Sequence, residues 1–147
     1  MFADLTKYRS LSFYRQNPTI EFSTLYKKSI YKVYAVFVLN ASKADDNGYI
    51  YNISRRNFIN DEDFESWSGE AYERSLINTG VDVTKEDNII TLVTCVYDFD
   101  DARLVVMARE TREGEDETVD TSISKANPSP RYPKRWYDDR GAAYPFN

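Results

Sequence analysis

The sequence predicts a mostly β fold with a few helical insertions. Aromatic residues make up 15% of the chain, including twelve tyrosines, within a hydrophobic share of 41%. Such side chains fit a pleated, half-buried surface. Apolar runs of strand length outnumber helical patterns. The helical patterns stand singly between strands, which argues for an antiparallel sheet or barrel over alternating βαβ units. A chain of 147 residues predicts one domain with a real core.

The stretch ADLTKYRSLSFYRQNP reads as a short helix closed at Asn17-Pro18. Asp4 caps it, and Leu5, Tyr8, Leu11 and Ser12 share a face. Strands follow over residues 19–26 and 30–39, joined through the polar link TLYKKS. Asp45-Asp46-Asn47-Gly48 is a turn signal, and residues 49–53 read as a short strand leading into the irregular loop SRRNFI. A long helix is expected at about 61–79. Asn60 is its N-cap, and Asp61, Glu62 and Asp63 suit the positive end of its dipole. Phe64, Trp67, Ser68, Ala71, Ser75 and Leu76 form its buried stripe, with Gly80 as the C-terminal stop.

After the connection VDVTKEDN, an apolar strand runs from Ile89 to Cys95. The loop VYDFDDA leads to another strand, Arg103 to Arg109. There Leu104, Val106 and Ala108 share one face and Arg103, Val105, Met107 and Arg109 the other. Beyond residue 110 the chain is charged and then proline-rich. EGEDETVDTS reads as a mobile loop and NPSPRYPKRWYDDRGAAYPFN as an extended tail strapped down by Trp136 and Tyr137. The chain divides into a folded region, 1–110, and a tail, 111–147.

A formal charge of −5 argues against nucleic acid, which wants a clustered basic face. With no histidine and one cysteine, no metal site or other cofactor is expected. No apolar run reaches the length of a membrane span and MFADLTKYRS has no signal-peptide apolar region, so the chain as it stands is expected to be soluble.

Cys95, the lone cysteine, ends the strand TLVTC. Free cysteines are most often buried and structural, and a nucleophilic cysteine usually leans on a histidine. Against that, Cys95 borders a polar loop, and Arg103 opens the next strand eight residues on. A short hairpin sets that guanidinium beside the thiol, where a permanent cation favours thiolate and can hold a developing oxyanion. Equally, Arg103 can be a solvated strand end paired with Asp100 or Asp101.

Taken together, TLVTC, the eight-residue step to an arginine and LVVMAR on the adjacent strand resemble the sortase family, whose pattern is TLxTC followed by an arginine. The helix DEDFESWSGEAYERSLI before the cysteine strand, the opening MFADLTKYRSLSFYRQNP and the tail RYPKRWYD resemble class B members. The resemblance implies a sortase-type β-barrel, closed or partly open, and a cysteine transpeptidase that cleaves an Asn-Pro-x-Thr type sorting signal. It implies Cys95 as nucleophile and Arg103 as substrate and oxyanion ligand. Val93, Thr94, Tyr49 and Ile50 would bind substrate.

The implied partners are the sorting-signal peptide of a surface protein and a cell-wall precursor amine. The implied location is the Gram-positive cell surface, membrane-anchored. In class B the catalytic histidine belongs to a Gly-His motif just before the MF-x-x-L segment, and this sequence begins at that methionine. The resemblance thus implies a chain that keeps the cysteine and arginine without the histidine, impaired as an enzyme. Open sheet edges then make an oligomer or strand-swapped dimer the expectation. The alternative is an inactive sortase-like module that binds peptide by groove or strand addition.

Overall fold

The computed structural model describes residues 3–42 and 48–146. Its main feature is one antiparallel sheet of four strands: β1 (Thr19–Ser23), β2 (Lys28–Asn40), β4 (Ile89–Cys95) and β5 (Ala102–Glu110), in the order β1-β2-β5-β4. The sheet is a curled half-barrel, so the expected barrel takes its partly open form, with β1 and β4 as edges. A register shift in β2 between Val33 and Ala35 adds local twist. Two short strands, β3 (Ile77–Asn78) and β6 (Lys125–Ala126), pair in a separate ribbon.

Both faces of the sheet are covered, which is why β2 is buried without a break from Tyr31 to Asn40. On one face Val36 and Val38 meet Leu104, Val106 and Ala108 beneath Leu5, Tyr8 and Tyr14 of the N-terminal segment. On the other, Phe37, Val105 and Met107 pack under Phe64, Trp67 and Ala71. The last three belong to helix α2 (Asp61–Arg74). The alternation expected on β5 is thus realised, with each face feeding its own core.

Helix α2 starts as expected: Asn60 Oδ1 accepts from the Asp63 amide at 2.8 Å. It ends at Arg74, five residues before the expected Thr79. The cause is tertiary. Ser75 is extended at ψ 133°, and its Oγ accepts from the Val36 amide at 3.0 Å and donates to the Ile77 carbonyl at 2.7 Å. The Leu76 amide then bonds Val36 O at 2.7 Å. The chain leaves the helix to lie against β2, and Gly80 (φ +76°) turns it after β3 rather than capping α2.

The N-terminal helix is split. A 3-10 segment, Ala3–Arg9, gives way at Ser10 to α1 (Leu11–Gln16), whose amide at Phe13 bonds Ser10 Oγ. Leu5 and Tyr8 face the core as expected, while Ser12 is exposed. Residues 49–53 form no strand. Tyr51 is 2% exposed and donates to the Trp67 carbonyl at 2.7 Å, while Trp67 Nε1 donates to Asn52 O at 2.8 Å. Those bonds satisfy the segment locally in place of a ladder. The turn signal at 45–47 falls outside the described residues.

The acidic segment expected to be mobile is instead anchored. Arg109, 2% exposed, holds Glu115 through two bonds of 2.8 Å. A bidentate guanidinium–carboxylate pair is the strong form of this contact. The tail carries a short helix, α3 (Lys134–Asp138). Trp136 stacks on Tyr132 at 4.1 Å, both pack against the first core, and Tyr137 is buried. The expected strap is in place.

Candidate active site

The β4–β5 register runs from Ile89 opposite Arg109 to Cys95 opposite Arg103. Directly opposed residues of an antiparallel pair project to the same face with Cβ atoms about 5 Å apart. The hairpin therefore sets the thiol-bearing residue and the guanidinium-bearing residue side by side. Cys95 is exposed, not buried. Arg103 Nη1 donates to the Ala102 carbonyl at 3.0 Å, and among the described residues no carboxylate pairs with it. Neither Asp100 nor Asp101 takes the role of counter-ion.

The loop between them is held from below. Val96 and Phe99 are 8% and 7% exposed, and the Val96 amide bonds Ala102 O at 3.2 Å, extending the ladder one step past Cys95. Asp101 takes φ +64°, a left-handed conformation that aspartate tolerates. Arg9 clamps both oxygens of Asp98 at 2.6 and 2.8 Å. That guanidinium holds the Asp98 carboxyl below the usual carboxylate range. The loop is pre-shaped, and it presents Cys95 at a fixed end of the sheet.

Alternation along β4 separates the remaining candidates. Ile90, Leu92 and Thr94 take the face of the first core. Thr91, Val93 and Cys95 take the face that α2 covers. Between β4 and the segment leading into α2 lies an open groove of about 570 Å³. Val93, 37% exposed, lines it with Thr91, Ile89, Phe58 and Trp67. Val93 is thus in line with Cys95, and Thr94 points to the opposite face. Tyr49 and Ile50 are outside the groove lining: Tyr49 donates to Glu70 on α2 at 2.6 Å, and Ile50 packs against the second core.

Arg55 and Phe58, which build the outer wall, escape sequence reading because SRRNFI has no periodicity. The one available signal is the basic pair flanked by aromatics. Arg55 lies over the Phe58 ring at 4.6 Å, and Phe58 meets Phe64 edge-on at 4.9 Å. These contacts fasten the wall to α2. Among the described residues no group of three or more His, Cys, Asp or Glu side chains is placed to hold a metal, and no helix is long and apolar enough to cross a membrane.

The exposed Cys95 thus stands opposite Arg103, which has no carboxylate partner among the described residues, on a strand whose same face lines the groove. Proteins with known names match most of this chain. Sortase B of Staphylococcus aureus is 36% identical over 111 residues, 74% of this chain. The chain belongs to the sortase family, class B. Sortase B of Listeria monocytogenes is 31% identical over 114 residues, again 74% of this chain. The chain spans 42% of the length of each of these relatives. No family model matches.

Solved sortase B structures agree with the fold. That of Clostridium perfringens superposes with a TM-score of 0.63 at 32% identity, covering 76% of this chain and 58% of that one. The S. aureus sortase B–substrate complex gives 0.62 at 33%, covering 76% and 49%. A sortase B complex with triglycine gives 0.59 at 32%, covering 76% and 50%.

Proposed function

We propose that this chain carries the cysteine half of a class B sortase site. It would take a sorting-signal peptide of the Asn-Pro-x-Thr type and transfer it through a thioester to an amine of the cell-wall precursor. The setting would be a Gram-positive, membrane-associated surface. The observation that carries the reading is the register pairing of Cys95 with Arg103 beside the groove. Complexes of relatives with a substrate and with triglycine support a peptide donor and an amine acceptor.

In this reading the Cys95 thiolate attacks the threonine carbonyl carbon. Arg103 donates to the carbonyl oxygen as it gains charge, which is worth most in a partly desolvated site. The C–N bond breaks and the leaving amine takes a proton. An acceptor amine then attacks the thioester and releases the thiol. Val93 contacts the bound peptide from the groove. None of the 147 residues is a histidine, so no imidazole among them gives the leaving amine its proton. Without a general acid the acylation step is slower by on the order of 10²–10⁴.

A test that bypasses the acid uses an Asn-Pro-x-Thr peptide carrying a thiol-reactive group at the scissile position. It should label Cys95 faster than a scrambled peptide with the same group, and Arg103→Ala should shrink that preference. Equal labelling by both peptides would sink the proposal.

A second reading rests on a separate observation: among the described residues, the outer edge of β4 is unpaired. The strand IITLVTC carries no charge, proline or bulge to discourage pairing. In that reading the chain is a binding or strand-exchange module that accepts a further strand there. A second copy joined edge to edge is one form of it.

A further inference from the structure

The groove beside Cys95 has a charge that the chain as a whole lacks. The chain carries a formal −5. Of the four charged residues lining the groove, three are basic: Arg55, Arg56 and Lys85. The fourth, Asp87, is occupied elsewhere, with both its oxygens bonded by Arg112 at 2.8 Å. Arg56 is exposed and among the described residues has no ion-pair partner. Lys85 pairs at 2.8 Å with Asp61, whose side chain is 76% exposed. Arg55 pairs with Asp63. Surface pairs of the Lys85–Asp61 kind contribute about 0–1 kcal/mol, so an incoming carboxylate can replace the existing one.

The position of these cations along the strand matters. On the face of β4 that Cys95 shares, the groove is lined by Val93, Thr91 and Ile89, with Lys85 beyond them. At roughly 3.3 Å per residue, the Ile89 end is about 20 Å from the thiol along the strand. In the transfer reaction proposed above, the acyl part must stay bound after the leaving group departs, so it is the acyl part that needs the groove. Its apolar floor of Phe58, Trp67 and Val93 serves the residues nearest the reacting carbonyl. Lys85, beyond the Ile89 end, lies where an extended peptide has run on for about five to seven residues, and Arg56 lines the same groove.

We infer that the groove selects a donor peptide with acidic residues about five to seven positions N-terminal to the residue that reacts with Cys95. Arg56 and Lys85 act as the selecting cations. The inference rests on the proposed function, because it takes the groove as the seat of the acyl peptide. Its subject is the upstream segment rather than the signal itself.

The test is binding to the full chain carrying Cys95→Ala, followed by fluorescence anisotropy. Two labelled peptides share one Asn-Pro-x-Thr core and differ only upstream, with two aspartates in one and two asparagines in the other. The aspartate peptide should bind about tenfold tighter at low salt, the sum of two modest charge pairs. The advantage should fade as the Debye length falls below the pair separations. Arg56→Glu with Lys85→Glu, checked for folding by circular dichroism, should abolish the advantage of the aspartate peptide over the asparagine peptide. Equal binding of the two peptides overturns the acidic preference and leaves the groove reading standing. An advantage that survives the double substitution overturns the assignment to these cations. Binding of neither peptide removes the groove reading and this inference with it.

Discussion

Cys95 and Arg103 stand directly opposite each other on β4 and β5, one ladder step from the turn that joins the strands. A guanidinium on the opposing residue can hold the incoming group at the thiol. Arg103→Ala should slow the alkylation of Cys95 by iodoacetate, an anionic reagent, several-fold at pH 7, with the near-ultraviolet spectrum unchanged. Equal rates in both proteins would show that the pairing leaves the thiol's reactivity untouched.

Acid should loosen the far end of the sheet first. Glu115 is held down to about 2 mainly by its two bonds from Arg109. Glu110 is likewise held at about 2 by Lys27, Asn88 and Ser29. Both carboxyls titrate lower folded than unfolded. Their stabilisation is therefore present above about pH 4.5 and lost as pH falls toward 2. Denaturant midpoints measured between pH 7 and 3 should fall over the lower part of that range. Glu115→Gln should be less stable at pH 7 and less sensitive to acid. An equal acid slope in the variant would contradict this.

Ser75 ends α2 by bonding β2, so Ser75→Ala should cost more than the loss of a surface hydroxyl. It leaves the buried Val36 amide without its acceptor, at about 1–3 kcal/mol. Urea unfolding read by tryptophan fluorescence measures it. A change below about 0.5 kcal/mol, the ordinary range for surface substitutions, would mean the chain re-forms the helix end another way.

A second copy joined at the β4 edge, which is unpaired among the described residues, would associate in a concentration-dependent way. The native chain should show a larger species in sedimentation as concentration rises. Thr91→Pro removes an amide, and prolines block ladder pairing, so it should reduce that species. A single monomeric boundary at all concentrations would rule out strand addition between copies.

Much of this was legible in the sequence for local reasons. Ile89–Cys95 and the strand from Arg103 are apolar runs bounded by turn chemistry, and the eight-residue step between cysteine and arginine fits the observed six-residue loop and register. The start of α2 was legible because Asn60 and three acidic residues make a local cap. Its end was not, because Ser75 answers to Val36, 39 positions earlier. The expected strand over residues 49–53 does not form, for a related reason. Their segment is fixed by Tyr51 and Trp67, not by strand pairing. Buried Arg74 and Arg109, each 1–2% exposed, read as surface charges until their partners are known.

Arg9 and Asp98 are 89 positions apart in sequence, yet they clamp the chain's first helical segment to the loop three residues past Cys95. That staple makes the helical segment a remote gauge of the thiol's surroundings. A dye placed at exposed Ser12 should change its emission when Cys95 is alkylated, and cutting the staple with Arg9→Ala should silence the signal while leaving the thiol in place.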